Sequence, residues 1–234
     1  MSNKIISIVT VVYNEKSIEK TIQSVIPKLS DEIEYIIIDG GSTDGTLEII
    51  KGFESDIDIL ISETDNGIYD AMNKGASLAH GEFIYHLNAG DYLLNIPLEE
   101  LRNQEKAVAA VAYPIYINGD KIFKPTYNWK MKYKSAISHQ GTFYKRELVH
   151  YDLVYKTFAD LDLNQRIYEA KSKVIIKKGP FIANHELGGI SSNKSQRKEL
   201  YQVIYNNYGG FFVLVSIIES AYKRIRRTIF RKFR

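Results

Sequence analysis

The chain has 234 residues, of which 44% are hydrophobic and 25% charged, an ordinary composition for a soluble globular protein. That length is enough for one α/β domain with a complete core and a short additional segment. The absence of cysteine excludes disulfide bonds, zinc-thiolate sites and cysteine nucleophiles. The first residues, MSNKIISIVTVVYNE, lack a charged leader followed by a long apolar stretch, so we expect a strand there and no signal peptide.

The first half of the chain alternates predicted strands and helices. Apolar, β-branched runs predict buried strands at 5–12, 33–38, 58–62 and 83–87. Apolar residues three to four positions apart predict helices at 15–26 and 68–79, and another that begins at Thr43 or Asp44 and runs to 53. This alternation predicts an α/β fold with a single, mostly parallel sheet flanked by helices.

The second half is less regular. Strands are predicted at 108–116 and 121–123 around an Asn118–Gly119–Asp120 turn, a helix at 161–169 and a strand at 174–176. Nothing in the composition marks a boundary before about residue 195. We therefore predict one domain at 1–195, followed by a helical segment at 196–234.

Polar segments follow each of the first four predicted strands, at 12–15, 39–44, 63–67 and 88–91. Ligands bind beyond the carboxyl ends of the strands in a parallel sheet, so these segments are expected to form one site. The alternative is that they are polar only because loops generally are.

Asp39 ends the second predicted strand and is followed by GGSTDGT. Gly40 and Gly41 permit tight turns with positive φ, and a carboxylate here can accept a hydrogen bond from a base N–H such as that of uracil. The alternative for this segment is the capping of the following helix, most directly by Asp44.

Lys74 lies four residues after Asp70 on a predicted helix that follows Asp65, Asn66 and Gly67. A lysine in this position can meet a diphosphate as a point charge. The alternative is a salt bridge with Asp70 along the helix.

The sequence HLNAGD, residues 86–91, places Asn88 and Asp91 on a sharp turn after an apolar strand. Their oxygen atoms suit Mg²⁺ or Mn²⁺. Such a cation neutralises the charge that develops on a departing nucleoside diphosphate.

Four stretches of the first half, in order ISIVTVVYNE, YIIIDGGSTDGT, ETDNGIYDAMNKG and GEFIYHLNAGD, resemble one known pattern. It is the donor-binding half of the family 2 inverting glycosyltransferases, which have the GT-A fold. The resemblance covers residues 5–91 and continues more weakly to about 190. It implies a nucleotide-sugar half at 1–95 and an acceptor half at 96–195.

The resemblance also implies site residues. Asp39 would bind the base, Asp65 and Lys74 would lie near the ribose and diphosphate, and Asp91 would be the last residue of a metal-binding Asp-x-Asp motif. The residues expected to border the nucleotide sugar are Thr10, Val12, Tyr13, Asn14, Glu15, Asp39, Gly41, Asp65, Gly67, Asn73, Lys74, Asn88, Ala89 and Gly90.

The chain departs from the family pattern at two places. Gly40 stands where a second aspartate is common, and Asn88-Ala89-Gly90-Asp91 replaces the usual Asp-x-Asp-Asp. Asp91 is then the one carboxylate left in the metal motif, so substrate phosphates would supply much of the coordination.

The acceptor half should supply a carboxylate that removes the proton of the acceptor hydroxyl. The stretch FADLDLNQR resembles the family's Glu-Asp motif with Ala159 in the glutamate position, which makes Asp160 the candidate base. Capping of the following helix by Asp160 or Asp162 is compatible with that role.

Further residues of this half follow from the same resemblance. His139 and Gln140, in SHQGTF, are expected to line the acceptor pocket, and His185, in ANHELGGIS, to complete the metal shell. Gly188 and Gly189 would give a closing loop its mobility. For both histidines the alternative is a structural role.

Residues 221–234 carry seven Lys or Arg and no acid, which leaves a net charge of −4 on residues 1–220. The apolar residues Ile218, Tyr222, Ile225, Ile229 and Phe233 form one stripe on a helix. This pattern is typical of an amphipathic helix lying on an anionic membrane, and the apolar stretch is too short to span a bilayer. The alternatives are packing on the domain itself or on a partner protein, and binding of nucleic acid, which we do not expect.

Together these features predict a metal-dependent inverting transfer, with Mn²⁺ or Mg²⁺, of a hexose or N-acetylhexosamine. We expect the donor to be a nucleotide-diphosphate sugar, specifically a UDP-sugar, and the acceptor a saccharide or lipid-linked saccharide. Capsule, exopolysaccharide or lipopolysaccharide assembly on the cytoplasmic face of a bacterial membrane fits this chemistry. The alternatives are transfer to a polyprenyl phosphate and a catalytically inactive nucleotide-sugar-binding protein.

Overall fold

A computed structural model describes residues 4–186 and 196–232, with side chains described through residue 226. The strands in these ranges are β1 (Ile6–Val12), β2 (Ile33–Asp39), β3 (Ile59–Ser62), β4 (Phe83–His86), β5 (Tyr92–Leu93), β6 (Val108–Ala112), β7 (Ile115–Ile117), β8 (Lys121–Phe123), β9 (Thr142–Lys145), β10 (Lys173–Ile176) and β11 (Ala183–His185). The α-helices are α1 (Ile18–Val25), α2 (Thr46–Lys51), α3 (Ile68–Leu78), α4 (Leu98–Arg102), α5 (Ala159–Glu169), α6 (Arg197–Tyr208) and α7 (Gly210–Lys232).

The larger sheet has seven strands in the order β10-β6-β9-β4-β1-β2-β3. Strand β1 pairs in parallel with both β2 and β4, and β2 pairs in parallel with β3. Strand β9 runs antiparallel to its neighbours β4 and β6. Every residue of β1 and β2 is buried, as expected for central strands covered by helices on both faces. The predicted mostly parallel sheet is thus confirmed.

A second, four-stranded sheet has the order β5-β11-β7-β8 and was not predicted. The predicted strand at 108–116 divides into β6 and β7, which belong to different sheets. The break falls at Tyr113–Pro114, and a proline has no N–H to continue the ladder. The predicted β7–β8 turn is confirmed, with positive φ at Asn118 and Gly119.

Helix boundaries differ from the prediction by a few residues. Helix α1 begins at Ile18, three residues late, and the Glu15 carboxylate accepts hydrogen bonds from the Ser17 N–H and hydroxyl before it. Helix α2 begins at Thr46, because Gly45 has a φ of 98°, outside the helical region. Helix α5 begins at Ala159, two residues earlier than the apolar spacing indicated.

The helices α6 and α7 pack on the domain. Val203 and Ile204 of α6 are fully buried in the same hydrophobic cluster as α5, and Phe212 and Val213 of α7 pack against it. Gly209, with a φ of 79°, joins the two helices. Within the described residues, no helix is both long enough and apolar enough to cross a membrane.

A buried glutamate ties three strands together at the end of the sheet opposite the predicted site. Glu34 on β2 accepts hydrogen bonds from the Ser7 hydroxyl (2.6 Å) and the His80 N–H (2.9 Å), and lies 2.7 Å from the His80 ring. The Ser7 oxygen in turn accepts from the Gly81 N–H, just before β4. Burial alone would raise the pKa of Glu34, but these hydrogen bonds and the His80 charge outweigh it and hold that pKa below its usual range.

We expect Glu34→Gln to lower the free energy of unfolding at pH 7 by about 1–3 kcal/mol, because it removes charge-assisted hydrogen bonds from a buried site. A carboxyl group whose pKa is lower in the folded than in the unfolded protein stabilises the folded protein above the unfolded pKa of about 4.3. That stabilisation is lost as the pH falls through the folded-state pKa. Urea titrations of both proteins between pH 3 and 7 should therefore converge at the acid end.

Glu48→Gln is the matched control, since Glu48 is exposed on α2. It should change the unfolding free energy by less than about 0.5 kcal/mol. A constant gap between wild type and Glu34→Gln across the pH range would contradict the assignment.

Candidate active site

The carboxyl ends of β1, β2, β3 and β4 lie along one edge of the sheet, because these strands are parallel. Side chains link the segments that follow them. The Asn14 N–H donates to the Ser42 hydroxyl (2.8 Å), and the Thr43 N–H donates to the Asn14 side-chain oxygen (2.9 Å). The Ser62 hydroxyl donates to Asp39 (2.7 Å). The structure thus brings the first three predicted polar segments together.

Asp39 is fully buried and already holds this edge in place. Its carboxylate accepts hydrogen bonds from the Ser42 N–H and hydroxyl, in addition to Ser62. Gly41 has a φ of 83°, as the predicted turn requires. The N–H of a nucleotide base could bond to Asp39 only in addition to these donors. The role of Asp39 visible in the structure is to order the loop.

The structure explains why glycine stands at position 40, where the family often has an aspartate. A Cβ atom at this position would lie 2.5 Å from the Asp65 carboxylate oxygen Oδ2. The glycine therefore allows Asp65 to approach the backbone after β2. The other oxygen of Asp65 accepts from the Gly67 N–H (2.8 Å), which fixes the start of α3.

Residues after β1 differ in accessibility. Tyr13 is 63% exposed, and Asn14 and Glu15 are exposed beside it. Thr10 and Val12 are buried inside the sheet, and the Thr10 hydroxyl contacts the Tyr35 hydroxyl at 3.3 Å. The structure therefore brings the Tyr13–Glu15 segment, and not Thr10 or Val12, to the open edge.

Two predicted donor residues on α3 have other partners. Lys74 forms salt bridges with Glu63 (2.9 Å) and Asp70 (3.7 Å), which is the alternative expected from the sequence, extended by a second carboxylate. Asn73 exchanges two hydrogen bonds of 2.8 Å with the backbone of Tyr151. Asn73 thus fastens α3 to the acceptor half instead of facing the edge.

The segment after β4 turns sharply at Gly90, which has a φ of 93°. Asp91 is buried, and its Oδ1 accepts from the Glu186 N–H (3.0 Å) and lies 2.8 Å from the His185 ring. The second sheet creates this contact, since β5 begins directly after Asp91 and β11 ends at His185. Burial lowers the pKa of His185, but the hydrogen bond to Asp91 and the charges of Asp91 and Glu186 outweigh burial, so that pKa is raised.

The donor set fits a divalent cation with few protein ligands. Asn88 Oδ1 and Asp91 Oδ2 are buried oxygen atoms without a hydrogen-bond partner, three residues apart on one turn. A buried polar atom without a partner is costly, and a cation would satisfy both. The described residues contain no group of three His, Asp or Glu side chains arranged to hold an ion. Phosphate and water oxygens would have to complete the shell.

Asp160 lies in the first turn of α5, where its carboxylate has three polar neighbours. Oδ1 accepts from the Leu161 N–H (2.8 Å) and lies 3.2 Å from the Tyr69 hydroxyl, and Oδ2 lies 3.3 Å from His139 Nδ1. Each oxygen can accept a further hydrogen bond, so Asp160 suits the removal of a proton.

His139 joins the two halves of the site. Its Nε2 lies 3.3 Å from the Asn88 side-chain nitrogen while its Nδ1 faces Asp160. The antiparallel pairing of β4 with β9 explains this position, because residues that follow β4 meet residues that precede β9. Gln140 is buried and contacts His185 at 3.2 Å. His139 therefore lies between the cation motif and Asp160, and Gln140 lies beside His185.

Sequence reasoning missed Tyr69 and His86. Tyr69 lies on α3, and burial followed by the Asp160 charge raises the pKa of its hydroxyl. His86 is fully buried with neither ring nitrogen paired, packs edge-on against Tyr151, and has its pKa lowered to about 3, mainly by burial. Neither had a signal in the sequence, because their roles depend on partners from distant segments. The predicted lid glycines Gly188 and Gly189 lie outside the described residues.

The family model described as Glycosyl transferase family 2 matches residues 7–161. The chain belongs to this family. A glycosyltransferase of Mycobacterium bovis named for PGL/p-HBAD biosynthesis is 28% identical over 224 residues, covering 89% of this chain and 87% of the relative. Glycosyltransferase GlyA of Streptococcus pneumoniae is 28% identical over 201 residues, covering 73% of this chain and 29% of that protein.

Solved structures share the fold of this glycosyltransferase. TarS 1–349 of S. aureus, in complex with UDP-GlcNAc, matches with a TM-score of 0.69 at 18% identity, covering 85% of this chain and 64% of that one. The mannosyltransferase PcManGT of Pyrobaculum calidifontis, in complex with GDP-Man and Mn²⁺, has a TM-score of 0.63 at 17% identity, covering 86% and 62%. In another TarS structure the chain spans 39% of the length. The predicted GT-A fold is confirmed.

Proposed function

We propose that this glycosyltransferase moves a hexose or N-acetylhexosamine from a UDP-sugar, with inversion, onto a hydroxyl of a saccharide or lipid-linked saccharide. One observation carries the proposal: His139 connects Asp160 to Asn88, so a candidate base and a candidate cation motif form one site. The TarS complexes with UDP and UDP-GlcNAc support a UDP-sugar donor. The proposal includes a role in bacterial cell-surface glycans such as capsule, exopolysaccharide or lipopolysaccharide, as expected from the sequence.

In this mechanism Asp160 Oδ2 accepts the proton of the acceptor hydroxyl as its oxygen attacks the anomeric carbon. Attack from the face opposite the leaving diphosphate inverts the configuration. The contacts of its carboxylate with the Leu161 N–H, the Tyr69 hydroxyl and the His139 ring orient it before the acceptor arrives. His139 holds it beside the donor edge.

Asn88 and Asp91 would hold Mn²⁺ or Mg²⁺, with His185 beside Asp91. The bound cation would supply charge neutralisation for the departing nucleoside diphosphate. The exposed Tyr13 ring offers a flat apolar face for a nucleotide base at the open edge. Asp39, Gly41, Asp65 and Gly67 shape the loops around it.

The other candidate functions differ in acceptor or in activity. Transfer to a polyprenyl phosphate would use the same donor edge, and it would be indicated if a bare lipid phosphate were used while no saccharide worked. A nucleotide-sugar binder without activity is disfavoured by the retained donors around Asp160. Absence of both transfer and donor hydrolysis with every nucleotide sugar tested would favour it.

We expect Asp91→Ala to abolish the Mn²⁺-dependent part of UDP binding, because it removes the carboxylate of the cation motif. Isothermal titration of UDP with and without Mn²⁺ measures this directly. Catalytic efficiency should fall on the order of 100-fold or more, since cation stabilisation of the leaving group amounts to several kcal/mol.

Asp56→Ala is the matched control, because Asp56 is exposed just before β3, at the amino end of the parallel strands and so at the opposite end of the sheet from the carboxyl edge. Its Mn²⁺-dependent UDP binding should equal that of wild type. If Asp91→Ala also binds UDP with undiminished Mn²⁺ dependence, the cation lies elsewhere.

We expect Asp160→Asn to lower kcat by about 10²–10⁴-fold, the usual contribution of a general base, while the Kd for UDP stays unchanged. Donor binding uses the opposite half of the site. Steady-state kinetics with a disaccharide acceptor and calorimetry with UDP separate the two effects. Retention of full transferase activity would rule out Asp160 as the base.

We also propose that helix α7 holds the enzyme on the inner face of the bacterial cell membrane. At about 100° per residue, five apolar side chains fall within one third of its circumference, and each is 54–70% exposed. They are Phe211, Leu214, Ile218, Tyr222 and Ile225. Three of them belong to the stripe predicted from the sequence. The side chains of Ile229 and Phe233 lie outside the described residues.

The opposite side of α7 makes its contacts with the domain. Phe212 packs on the core, Ser216 is buried, and Glu219 forms a salt bridge with Lys134 (2.8 Å). Packing on the domain thus leaves the apolar stripe exposed. Arg224 and Arg226 lie on either side of it, Lys223 pairs with Glu219 (3.2 Å) on the inward side, and the sequence adds four more basic residues by 234. An apolar stripe bordered by cations matches an anionic lipid surface.

We expect the double variant Ile218→Glu/Ile225→Glu to lose binding to vesicles of phosphatidylglycerol and phosphatidylcholine, because it places charge in the apolar stripe. Flotation assays should show wild type with anionic vesicles and not with phosphatidylcholine alone. The double variant Gln202→Glu/Ser220→Glu serves as the charge control, since it adds the same two carboxylates at exposed positions outside the stripe. If the wild type were a dimer and the double variant a monomer, the stripe would be a protein interface and the proposal would be contradicted. Binding of the wild type to duplex DNA without binding to vesicles would contradict it as well.

A further inference from the structure

The first turn of α6 lies against the segment that leads into α5. Glu199 on α6 accepts three backbone hydrogen bonds there, from the N–H groups of Lys156 (3.1 Å), Thr157 (2.7 Å) and Phe158 (2.8 Å). Phe158 is the residue before α5, and Asp160 is the second residue of that helix. One carboxylate from the C-terminal segment therefore holds the backbone that leads into the helix carrying the candidate base, Asp160.

The Phe158 N–H is one of the first donors at the amino end of α5, where a helix has no internal acceptors, and the other two N–H groups precede the helix. A carboxylate is also favoured near a helix amino terminus by the helix dipole. Glu199 meets both requirements from outside the helix. The position of the Glu199 carboxylate relative to α5 thus depends on how α6 packs on the domain.

The same segment is linked to the candidate base through Tyr69. The Thr157 carbonyl accepts a hydrogen bond from the Tyr69 hydroxyl (2.8 Å), and that hydroxyl lies 3.2 Å from Asp160 Oδ1. Thr157 is therefore held on one side by Glu199 and on the other by Tyr69. Displacement of this residue would move both Asp160 and the hydroxyl that orients it.

Helix α6 supports α5 at a second level. The Asn207 side chain donates to Asp162 Oδ1 (3.0 Å) and to Gln165 Oε1 (2.9 Å). The Asp162 contact reaches the first turn of α5, which also carries Asp160, but neither contact involves the backbone before the helix. Glu199 is the α6 side chain that bonds to the backbone immediately before it.

We propose that Glu199 is a positioning residue for Asp160, so that the C-terminal segment takes part in catalysis as well as in membrane attachment. The proposal rests on the proposed function in one respect, that Asp160 is the base. A displacement of about 1 Å in a reacting group costs on the order of 100-fold in rate. Lys156 is exposed and Thr157 partly so, which lets water replace Glu199 as acceptor without unfolding the chain.

The test uses the full chain with Glu199→Gln and Glu199→Ala. We expect kcat to fall on the order of 10-fold for the glutamine variant, which retains one acceptor oxygen, and about 100-fold for the alanine variant. The KM for the donor, the Kd for UDP and its binding stoichiometry should equal those of wild type. If Glu199 only stabilised the fold, the stoichiometry of UDP binding would instead fall in proportion to the loss of activity.

Glu219→Gln is the matched control, because it removes ion pairs of α7 with Lys134 and Lys223 without touching residues 156–158. Its kcat should equal that of wild type. The proposal is overturned if Glu199→Ala keeps its kcat, if the stoichiometry falls with activity, or if Glu219→Gln loses as much. Should the alanine variant fail to fold, Glu199→Gln decides by the same criteria.

Asp160→Asn separates the two proposals. If it is inactive while both Glu199 variants keep wild-type kcat, the positioning role alone fails. If Asp160→Asn is active, the assignment of the base fails, and the role of Glu199 fails with it.

Discussion

The parallel pairing of β1 with β2 and β4 determines where chemistry can take place in this chain. It brings the segments after three strands to one edge, where their polar groups have no ladder partners and bond to one another instead, as Asn14 does with Ser42 and Thr43. At the other end of the same strands, Glu34 gathers Ser7 and His80 in a buried cluster. The rigidity of the donor edge therefore depends on contacts at both ends of the sheet.

Strand β9 joins the acceptor half to this edge. Because β9 is antiparallel to β4, its amino end lies beside the carboxyl end of β4, and His139 meets Asn88. A parallel strand in this place would have carried the preceding residues to the far end of the sheet. The single reversed strand thus allows one histidine to contact a cation motif and a base carboxylate that are 72 positions apart in sequence.

The sequence predicted what is local and periodic. The β-branched runs of β1 and β2, the apolar spacing of α3 and the Asn118–Gly119 turn follow from residue chemistry alone. Partner choice between distant segments did not follow. The contact of His185 with Asp91 needs a second sheet built from short strands, and Asn73 bonds to a backbone 78 residues away. Gly40 was a departure from the family pattern without an explanation in the sequence, and the structure shows Asp65 occupying the space that a side chain would need.

The C-terminal helices connect two surfaces that the sequence presents as separate. Helix α6 is buried against α5, and after Gly209 the chain continues as α7, whose apolar stripe faces away from the domain. The side of α7 that packs inward uses Phe212, Ser216 and Glu219, so the orientation of the stripe is fixed relative to α5. A bilayer bound to the stripe would then lie at a set distance and angle from Asp160. For a lipid-linked acceptor, that geometry would limit which hydroxyl of the glycan can reach the base.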